Sequence, residues 1–181
     1  MRVAVLVDTP NITKGVHRHH GNTHRPDYRE VLQLASGMGE VVCGKALVND
    51  GLPQHQVVKL HDAGLTVVRS HAFDCDEPMV AWAVRLHSNF DCLILCTGDK
   101  HFRPLMELLQ EAGRKVIVCA VNGSCSARLK ALCDQYVEMP VVSHVSHKPR
   151  RFAPGRNLPP ASIGLTRSDE NSIPALVIAS I

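Results

Sequence analysis

Residues 91–105 read Asp-Cys-Leu-Ile-Leu-Cys-Thr-Gly-Asp-Lys-His-Phe-Arg-Pro-Leu, and this stretch shows the pattern that the rest of the chain repeats. The five residues Cys92–Cys96 are all apolar, which is typical of a strand buried on both faces near the middle of a parallel sheet. A polar turn, Thr97-Gly-Asp, follows it. The apolar spacing then becomes helical over Phe102–Ala112, and Gly113 ends the helix. A buried strand, a polar turn and a helix in succession predict an α/β protein.

The same alternation continues along the chain as far as Pro140. Further strands are predicted at Val3–Val7, Val41–Val48, Leu65–Arg69, Lys115–Ala120 and Tyr136–Met139, and further helices at Asp27–Met38, Gln54–Ala63, Glu77–Leu86 and Ser124–Cys133. Such alternation builds a three-layer α/β/α domain, in which helices cover both faces of a mainly parallel, Rossmann-like sheet. We therefore predict one domain over residues 1–140.

Residues 141–181 do not continue this pattern. They mix Ser, His, Pro, Arg and Gly without apolar periodicity, which is typical of a disordered segment. The formal net charge of the chain is +3, and the excess lies here, on residues that include Lys148, Arg150 and Arg151. We predict a basic, disordered tail, which either adds non-specific phosphate contacts or only improves solubility.

Composition and sequence patterns limit the cellular compartment and the class of function that this chain can have. The seven cysteines include no Cys-x-x-Cys pair, and several lie in apolar runs, so we expect reduced, buried thiols in a cytoplasmic protein. The apolar start reaches Asp8 too early for a signal peptide, and no segment approaches the roughly 20 apolar residues of a membrane span. The first turn, Asp8-Thr-Pro-Asn11, lacks the glycines of a dinucleotide-binding fingerprint.

Acidic residues follow the predicted strands at the points where the strands end. Asp8 ends the first strand, Asp74 and Asp76 follow the third, and Asp99 follows the fourth. Because ligands of open parallel sheets bind outside the carboxyl ends of the strands, we expect these acids at one edge. Crowded carboxylates repel each other, and Mg²⁺ or Mn²⁺ would relieve the repulsion through oxygen coordination. Metal-assisted hydrolysis of a phosphodiester bond is the reaction class that this arrangement favours.

Each of these acids also has a purely structural interpretation. Asp8 can cap a turn. Asp99 can cap the following helix, and capping does not exclude coordination. For Asp76, a cap at the start of the helix Glu77–Leu86 is the favoured interpretation.

A histidine-rich segment follows the first strand and is predicted to lie at the same edge. Residues 17–24 read His-Arg-His-His-Gly-Asn-Thr-His, and a polar, flexible loop is the favoured interpretation. Contacts of Arg18, Arg25 and the imidazoles with phosphates or bases are one alternative. A separate transition-metal site is the other.

Several segments resemble the NYN domain, the LabA-like branch of the PIN-like nuclease superfamily. Val5-Leu-Val-Asp-Thr-Pro-Asn11 is similar to the opening strand of that family, in which an Asp is followed by two residues and an Asn. Residues 91–105 resemble its strand followed by Ser/Thr-Gly-Asp-x-Asp-Phe. Glu111-Ala-Gly-Arg-Lys-Val116 resembles the helix end and the strand that come next. The resemblance covers residues 1–140 and implies a PIN-like fold.

The resemblance implies a metal-dependent endoribonuclease that hydrolyses RNA at a carboxylate cluster. Asp8, Asp74 and Asp99 would be the catalytic metal ligands, His101 would lie in the metal shell or just outside it, and Mg²⁺ or Mn²⁺ would be the cofactor. Single-stranded RNA is the expected partner, and a homo-oligomer is left open. The residues expected to orient or contact the RNA are Asn11, Thr97, Lys100, Arg18 and Arg25.

The chain departs from the family pattern at three points. His101 stands where the second acid of the Gly-Asp-x-Asp-Phe element belongs, and Val80 stands where a further acid is often found. The Lys and Gly that usually precede the middle Asp are absent, since Ala72-Phe73 precedes Asp74. A neutral imidazole suits Mn²⁺ better than Mg²⁺. These departures favour weakened activity or a changed metal preference. They also leave an alternative, an inactive RNA-binding or scaffold protein on the same fold.

Overall fold

The computed structural model of the chain describes residues 1–70 and 76–143. Two short 3₁₀ turns, His87–Asn89 and Lys100–Phe102, lie between its helices and strands. In chain order these elements are β1 (Arg2–Asp8), α1 (Thr9–His20), β2 (His24–Pro26), α2 (Tyr28–Met38), β3 (Glu40–Asn49), α3 (Gln54–Asp62), β4 (Thr66–Ser70), α4 (Asp76–Leu86), β5 (Cys92–Cys96), α5 (Arg103–Glu111), β6 (Lys115–Ala120), α6 (Ala127–Leu132), β7 (Gln135–Glu138) and β8 (Val141–Ser143).

Six of the strands form one sheet in the order β4-β3-β1-β5-β6-β7, and every neighbouring pair is parallel. The predicted α/β fold with a mainly parallel sheet is therefore confirmed. The two most apolar strands, β1 and β5, lie at the centre, as expected for strands buried on both faces. After β1 the chain passes outward to β3 and β4 and then returns to β5, which pairs with β1 on its other side. The carboxyl ends of the two central strands therefore lie side by side.

Helices pack on both faces because β1 is apolar at every interior position. Val3, Val5 and Val7 contact the layer formed by α1, α2 and α3. Ala4 and Leu6, which point the other way, contact the layer formed by α4, α5 and α6. Successive side chains of a strand point to opposite faces, so a continuous apolar run supplies both cores at once. Because both faces of β1 are buried, its position along the strand axis relative to its neighbours is fixed. The position of Asp8, the residue that ends β1, is therefore fixed as well.

The histidine-rich segment was predicted as a loop, and this prediction is wrong, because residues 17–20 form the last turn of α1. The helix was missed because its buried face is narrow: its large apolar contacts are Ile12 and Val16, one turn apart. Pro10 also resembles a turn signal, but a proline in the first helical turn is tolerated because its missing N–H has no partner there.

Regular structure also extends beyond Pro140. Val141–Ser143 pairs in an antiparallel manner with His24–Pro26, so the first three residues of the predicted tail form a strand, and Arg25 lies on its partner strand. Strands of three residues are too short to produce a recognisable alternation, and their pairing joins parts of the chain far apart in sequence. The rest of the predicted tail lies outside the described residues.

The prediction of buried thiols is correct for part of the cysteines. Among the described residues six are free thiols; Cys92, Cys96 and Cys119 are buried in β5 and β6, whereas Cys43, Cys125 and Cys133 are half-buried. Within the same residues, no helix combines the length and apolar character needed to cross a bilayer. All of these residues belong to one compact unit.

Candidate metal centre at the carboxyl edge of the sheet

The centre of the carboxyl edge is built from the ends of β1 and β5. These strands are parallel neighbours in which Val7 is paired with Cys96, so the next residues, Asp8 and Thr97, emerge together. The hydroxyl of Thr97 donates a hydrogen bond to Oδ2 of Asp8 at 3.0 Å. Asp8 is only 4% exposed, and Thr97 is fully buried. The two segments that resemble NYN domains therefore meet at one buried carboxylate.

Further hydrogen bonds hold this carboxylate in place. The backbone N–H of Asn11 donates to Oδ1 of Asp8 at 3.1 Å, which makes Asp8 the N-cap of α1. The Asn11 side-chain oxygen accepts from the backbone N–H of Gly98 at 2.9 Å, and the Thr97 hydroxyl accepts from the N–H of Asp99 at 3.2 Å. Asn11 and Thr97 thus orient Asp8 and join the β1 turn to the β5 turn. Each carboxylate oxygen has more than one lone pair, so these bonds do not exhaust its capacity.

The glycine of the Thr-Gly-Asp turn is required by close packing. A Cβ atom at Gly98 would lie 2.5 Å from the carbonyl oxygen of Ser124, a separation that real Cβ atoms essentially never show. The Gly98 carbonyl oxygen also accepts from the N–H of Ser126 at 3.1 Å, just before α6. Only a residue without a side chain lets these two backbones approach so closely.

Three side chains gather beside this network. One ligand atom each from Asp76, Asp99 and His101 lie within 4.8 Å of one another. The Nδ1 atom of His101 is 3.1 Å from Oδ1 of Asp99 and 3.8 Å from Oδ2 of Asp76. The His101 side chain is 66% exposed, whereas both carboxylates are partly buried. The set offers two oxygen donors and one nitrogen donor to a cation approaching from solvent.

Asp99 has a capping role as well. Its Oδ1 accepts from the backbone N–H of His101 at 3.0 Å and so caps the 3₁₀ turn Lys100–Phe102 that leads into α5. The structural alternative considered for Asp99, a cap on the following helix, is therefore observed on the 3₁₀ turn and not on α5 itself. The cap also fixes the Asp99 carboxylate shortly before α5, where it faces Asp76, the first residue of α4.

The predicted site residues are distributed as follows. Asp8, Asn11, Thr97 and Asp99 lie at the carboxyl edge, and Lys100 is exposed next to Asp99. Asp74 lies outside the described residues, so its position is not assigned. The two predicted RNA-contact arginines lie further away. Because a helix rises 1.5 Å per residue, Arg18 is roughly 15 Å along α1 from the edge. Arg25 is on the strand that follows α1.

Asp76 is the site residue that the sequence interpretation did not select. It was assigned as a cap because it precedes a helix with proline in its first turn. In the structure it is the first residue of α4 and joins the Asp99–His101 pair. One signal pointed to it: it is an acid at the start of a helix that follows a parallel strand, and such helix starts lie at the carboxyl edge of the sheet.

The Cys96 thiol is not a suitable nucleophile at this edge. Cys96, the last residue of β5, lies directly below Thr97. The Cys119 thiol, hydrogen-bonded to it, and complete burial both raise the pKa of Cys96. A thiol with a raised pKa stays protonated near neutral pH and is unreactive. Among the described residues, Asp76, Asp99 and His101 offer oxygen and imidazole ligands at this edge.

A parallel α/β sheet with an Asp/Asp/His cluster at its carboxyl edge belongs to the class of open α/β proteins that bind ligands at that edge. The chain belongs to the NYN domain family, whose model matches residues 2–140, and this family is part of the PIN-like nuclease superfamily. A solved structure of a protein of unknown function from Vibrio parahaemolyticus RIMD 2210633 shares the fold. Its TM-score is 0.69 at 24% sequence identity, over 77% of this chain and 93% of that one. No curated protein matches this chain.

Proposed function

We propose that this protein is a divalent-metal-dependent endoribonuclease that hydrolyses phosphodiester bonds of single-stranded RNA at the carboxyl edge of its sheet. The observation that carries the proposal is the convergence of Asp76, Asp99 and His101 in an NYN domain, with Asp99 linked to the buried Asp8 through the Thr97 hydroxyl. Several acids gathered at one edge are costly to the fold unless a cation or a reaction uses them. The free thiols in the strands are consistent with action in the reducing cytoplasm.

The donor set fits a divalent cation of intermediate hardness. Two carboxylates and an imidazole suit Mn²⁺ and are less suited to Mg²⁺, which prefers oxygen ligands alone. Asp76, Asp99 and His101 would hold the ion. Asp8, and Asp74 from the segment before α4, are proposed to complete its shell. When bound, such an ion polarises a phosphoryl oxygen and lowers the pKa of a coordinated water molecule.

The other residues at the edge are assigned positioning and binding roles. Thr97 and Asn11 hold Asp8 in one orientation through hydrogen bonds of 3.0 and 3.1 Å, which reduces the reorganisation needed when RNA binds. Lys100, which is exposed beside Asp99, is proposed to attract the phosphate that flanks the cleaved bond.

A second candidate function is RNA binding without cleavage. The observation that favours it is the position of His101, whose ring lies against both Asp99 and Asp76. If this ring carried a proton, it would partly neutralise the two acids without any metal ion. The edge would then be a remnant of a nuclease site, and RNA would bind through other contacts of the same fold.

An RNA cleavage assay separates the two functions. The full chain is incubated with a labelled single-stranded RNA in Mg²⁺, Mn²⁺ or EDTA, alongside Asp76→Asn and a matched control, Glu111→Gln, at the far end of α5. We expect cleavage in Mn²⁺, weaker cleavage in Mg²⁺ and none in EDTA. Asp76→Asn should lose most of the activity, and Glu111→Gln should retain it. Binding of RNA without cleavage in any metal would establish the second function instead.

A further inference from the structure

A groove lies on the other side of Asp8 from the Asp76–Asp99–His101 cluster. It has a volume of about 730 Å³ and opens between α1, β2, α2 and α3, the layer that covers one face of the sheet. A smaller hollow of about 390 Å³ adjoins it and shares four lining residues with it, Thr9, Thr13, His17 and Leu52. Thr9 directly follows Asp8, so the groove and the hollow form one depression that starts at the carboxyl edge. We call this depression the α1–α3 groove.

Among its ionisable lining residues, the α1–α3 groove has more cations than acids. Its cationic residues come from four different elements, and its two acids are outnumbered by them. Asp27, one of these acids, is turned into α2, where it caps the backbone N–H groups of Arg29 and Glu30 at 3.1 and 3.3 Å. The cationic side chains that line the groove are Lys14, Arg25, Arg29 and Lys59, and they are joined by His17, His24 and His55.

The floor of the groove contains the buried hydroxyl groups of Thr9 and Tyr28, which lie close to each other and to the Thr13 hydroxyl without a well-formed hydrogen bond. Among the described residues, neither Oγ1 of Thr9 nor Oη of Tyr28 has a hydrogen-bond partner of good geometry, although both atoms are buried. Burial is the main cause that raises the pKa of the Tyr28 phenol, so it remains a neutral donor. Buried polar groups without partners are uncommon in native proteins. A polar ligand above them, reached by a small movement of either side chain, would provide partners.

We propose that the α1–α3 groove binds the backbone of single-stranded RNA and guides the strand to the carboxyl edge. This inference rests on the proposed function, because it assigns the path of the substrate of that same site. The groove begins at Thr9, the residue after Asp8, and it includes the end of β3 at Val48 and Asn49. Its walls carry cations from four elements, which outnumber its acids. A basic groove that tracks the sugar–phosphate backbone is the common way in which proteins bind single strands.

RNA binding can be measured apart from cleavage. The full chain carrying Asp99→Asn is titrated in EDTA against a labelled oligouridylate of about 12 nucleotides, and the dissociation constant is followed by fluorescence anisotropy at several salt concentrations. The groove variants are Arg25→Gln and Lys59→Gln, both exposed side chains. The controls are Arg85→Gln and Lys115→Gln, exposed cations near the opposite, amino edge of the sheet.

We expect each groove variant to weaken binding about fivefold and the double variant at least about twentyfold. The slope of log affinity against log salt should fall by about 0.7 for each cation removed, as for counterions released from single strands. The control variants should bind like the parent. Groove variants that bind RNA like the controls would overturn the inference. An acidic polypeptide, polyglutamate, that competes as well as RNA would also overturn it, because the groove would then select charge and not a nucleic acid strand.

Cleavage by the wild-type chain, measured in parallel, separates the two proposals. If the wild type cuts RNA while the groove variants bind and cut as well as the controls, the groove inference fails and the nuclease proposal stands. If the groove variants lose binding but the wild type never cuts RNA, the groove inference stands and the nuclease proposal fails. Absence of both binding and cleavage in the wild type overturns both.

Discussion

The aspartates at the two ends of the central strands have opposite surroundings. At the amino edge, Asp91 accepts from the backbone N–H of Arg2 at 2.8 Å and from its guanidinium at 3.0 Å, and Arg114 lies 3.6 Å away. These hydrogen bonds from Arg2 are the main cause that lowers the pKa of Asp91. At the carboxyl edge, Asp76 and Asp99 face each other across His101. One edge pairs an acid with cations, and the other edge gathers acids together.

This difference separates a structural acid from a functional one. Asp91 joins the starts of β1, β5 and β6 through complementary charges, and nothing further is needed to stabilise it. The carboxyl-edge acids Asp76 and Asp99 share one imidazole, that of His101, and a bound divalent cation would stabilise their two charges further. A cluster of like charges at the ligand-binding edge of a parallel sheet is therefore a better indicator of chemistry than the presence of an acid alone.

The largest effect should come from matched aspartate-to-asparagine changes at the two edges. Asp99→Asn keeps the cap on His101, since asparagine also caps, but removes a ligand charge. Loss of a metal ligand removes several kcal/mol of transition-state stabilisation, so RNA cleavage should fall by a factor on the order of 100 or more. Asp91→Asn should leave cleavage unchanged. Initial rates at equal protein concentration provide the measurement, and equal losses in the two variants would remove the distinction between the edges.

A smaller effect is expected when the support of Asp8 is removed. Thr97→Val keeps the shape of the buried side chain but deletes the hydroxyl that bonds to Asp8 and accepts from the N–H of Asp99. We expect a loss of about 1–3 kcal/mol in the free energy of unfolding, because buried groups lose their partner. Cleavage should fall about 10–100-fold, the usual effect of disturbing groups that orient metal ligands. Urea unfolding and cleavage rates test both; a stable variant with full activity would contradict the orienting role.

Substitution of His101 tests the metal preference of the carboxyl edge. His101→Asp restores the acid that NYN domains usually have at this position and adds a hard oxygen ligand. Cleavage in Mg²⁺ should rise about fivefold relative to cleavage in Mn²⁺, since Mg²⁺ favours carboxylates over imidazole. Rates in each metal at saturating concentration give the ratio. An unchanged ratio would indicate that His101 only packs at the start of α5 and does not belong to the metal shell.

The smallest effect concerns the amino edge. The pKa of Asp91 is lowered in the folded chain, so its stabilising effect is present above the unfolded pKa of about 3.9. That effect is lost as the pH falls from there through the folded pKa, because the unfolded state then binds the proton more readily. Asp91→Asn should therefore flatten the decline of stability in acid, with only a small change near pH 7. Urea midpoints measured between neutral and acidic pH test this; parallel curves for variant and wild type would contradict it.

The sheet was predictable from the sequence because its strands are buried on both faces. An uninterrupted apolar run such as Cys92–Cys96 has one plausible place in a parallel α/β fold, and the acid that follows it must then lie at the carboxyl edge. Helix α1 was not predictable in this way. Its buried face is small, and the polar groups His17–His20 in its last turn resemble a loop.

The candidate site was predictable only in part, for a geometric reason. Asp8 and Asp99 follow central strands, so the sheet itself fixes their positions. Asp76 belongs to a helix start, and its approach to His101 depends on how α4 packs against the 3₁₀ turn before α5. No local pattern encodes that packing. The α1–α3 groove was equally hidden, because its cations come from four elements that only the tertiary fold brings together.

Direct binding of Mn²⁺ tests the central claim, that the carboxyl edge is a metal centre. Electron paramagnetic resonance of free Mn²⁺ is followed during titration of the wild-type chain, Asp99→Asn and the amino-edge control Asp91→Asn. We predict that the wild type and Asp91→Asn bind the ion with equal affinity. Asp99→Asn should bind it at least about tenfold more weakly, which corresponds to about 1.4 kcal/mol. Absence of Mn²⁺ binding by the wild type, or equal binding by all three chains, would contradict the claim.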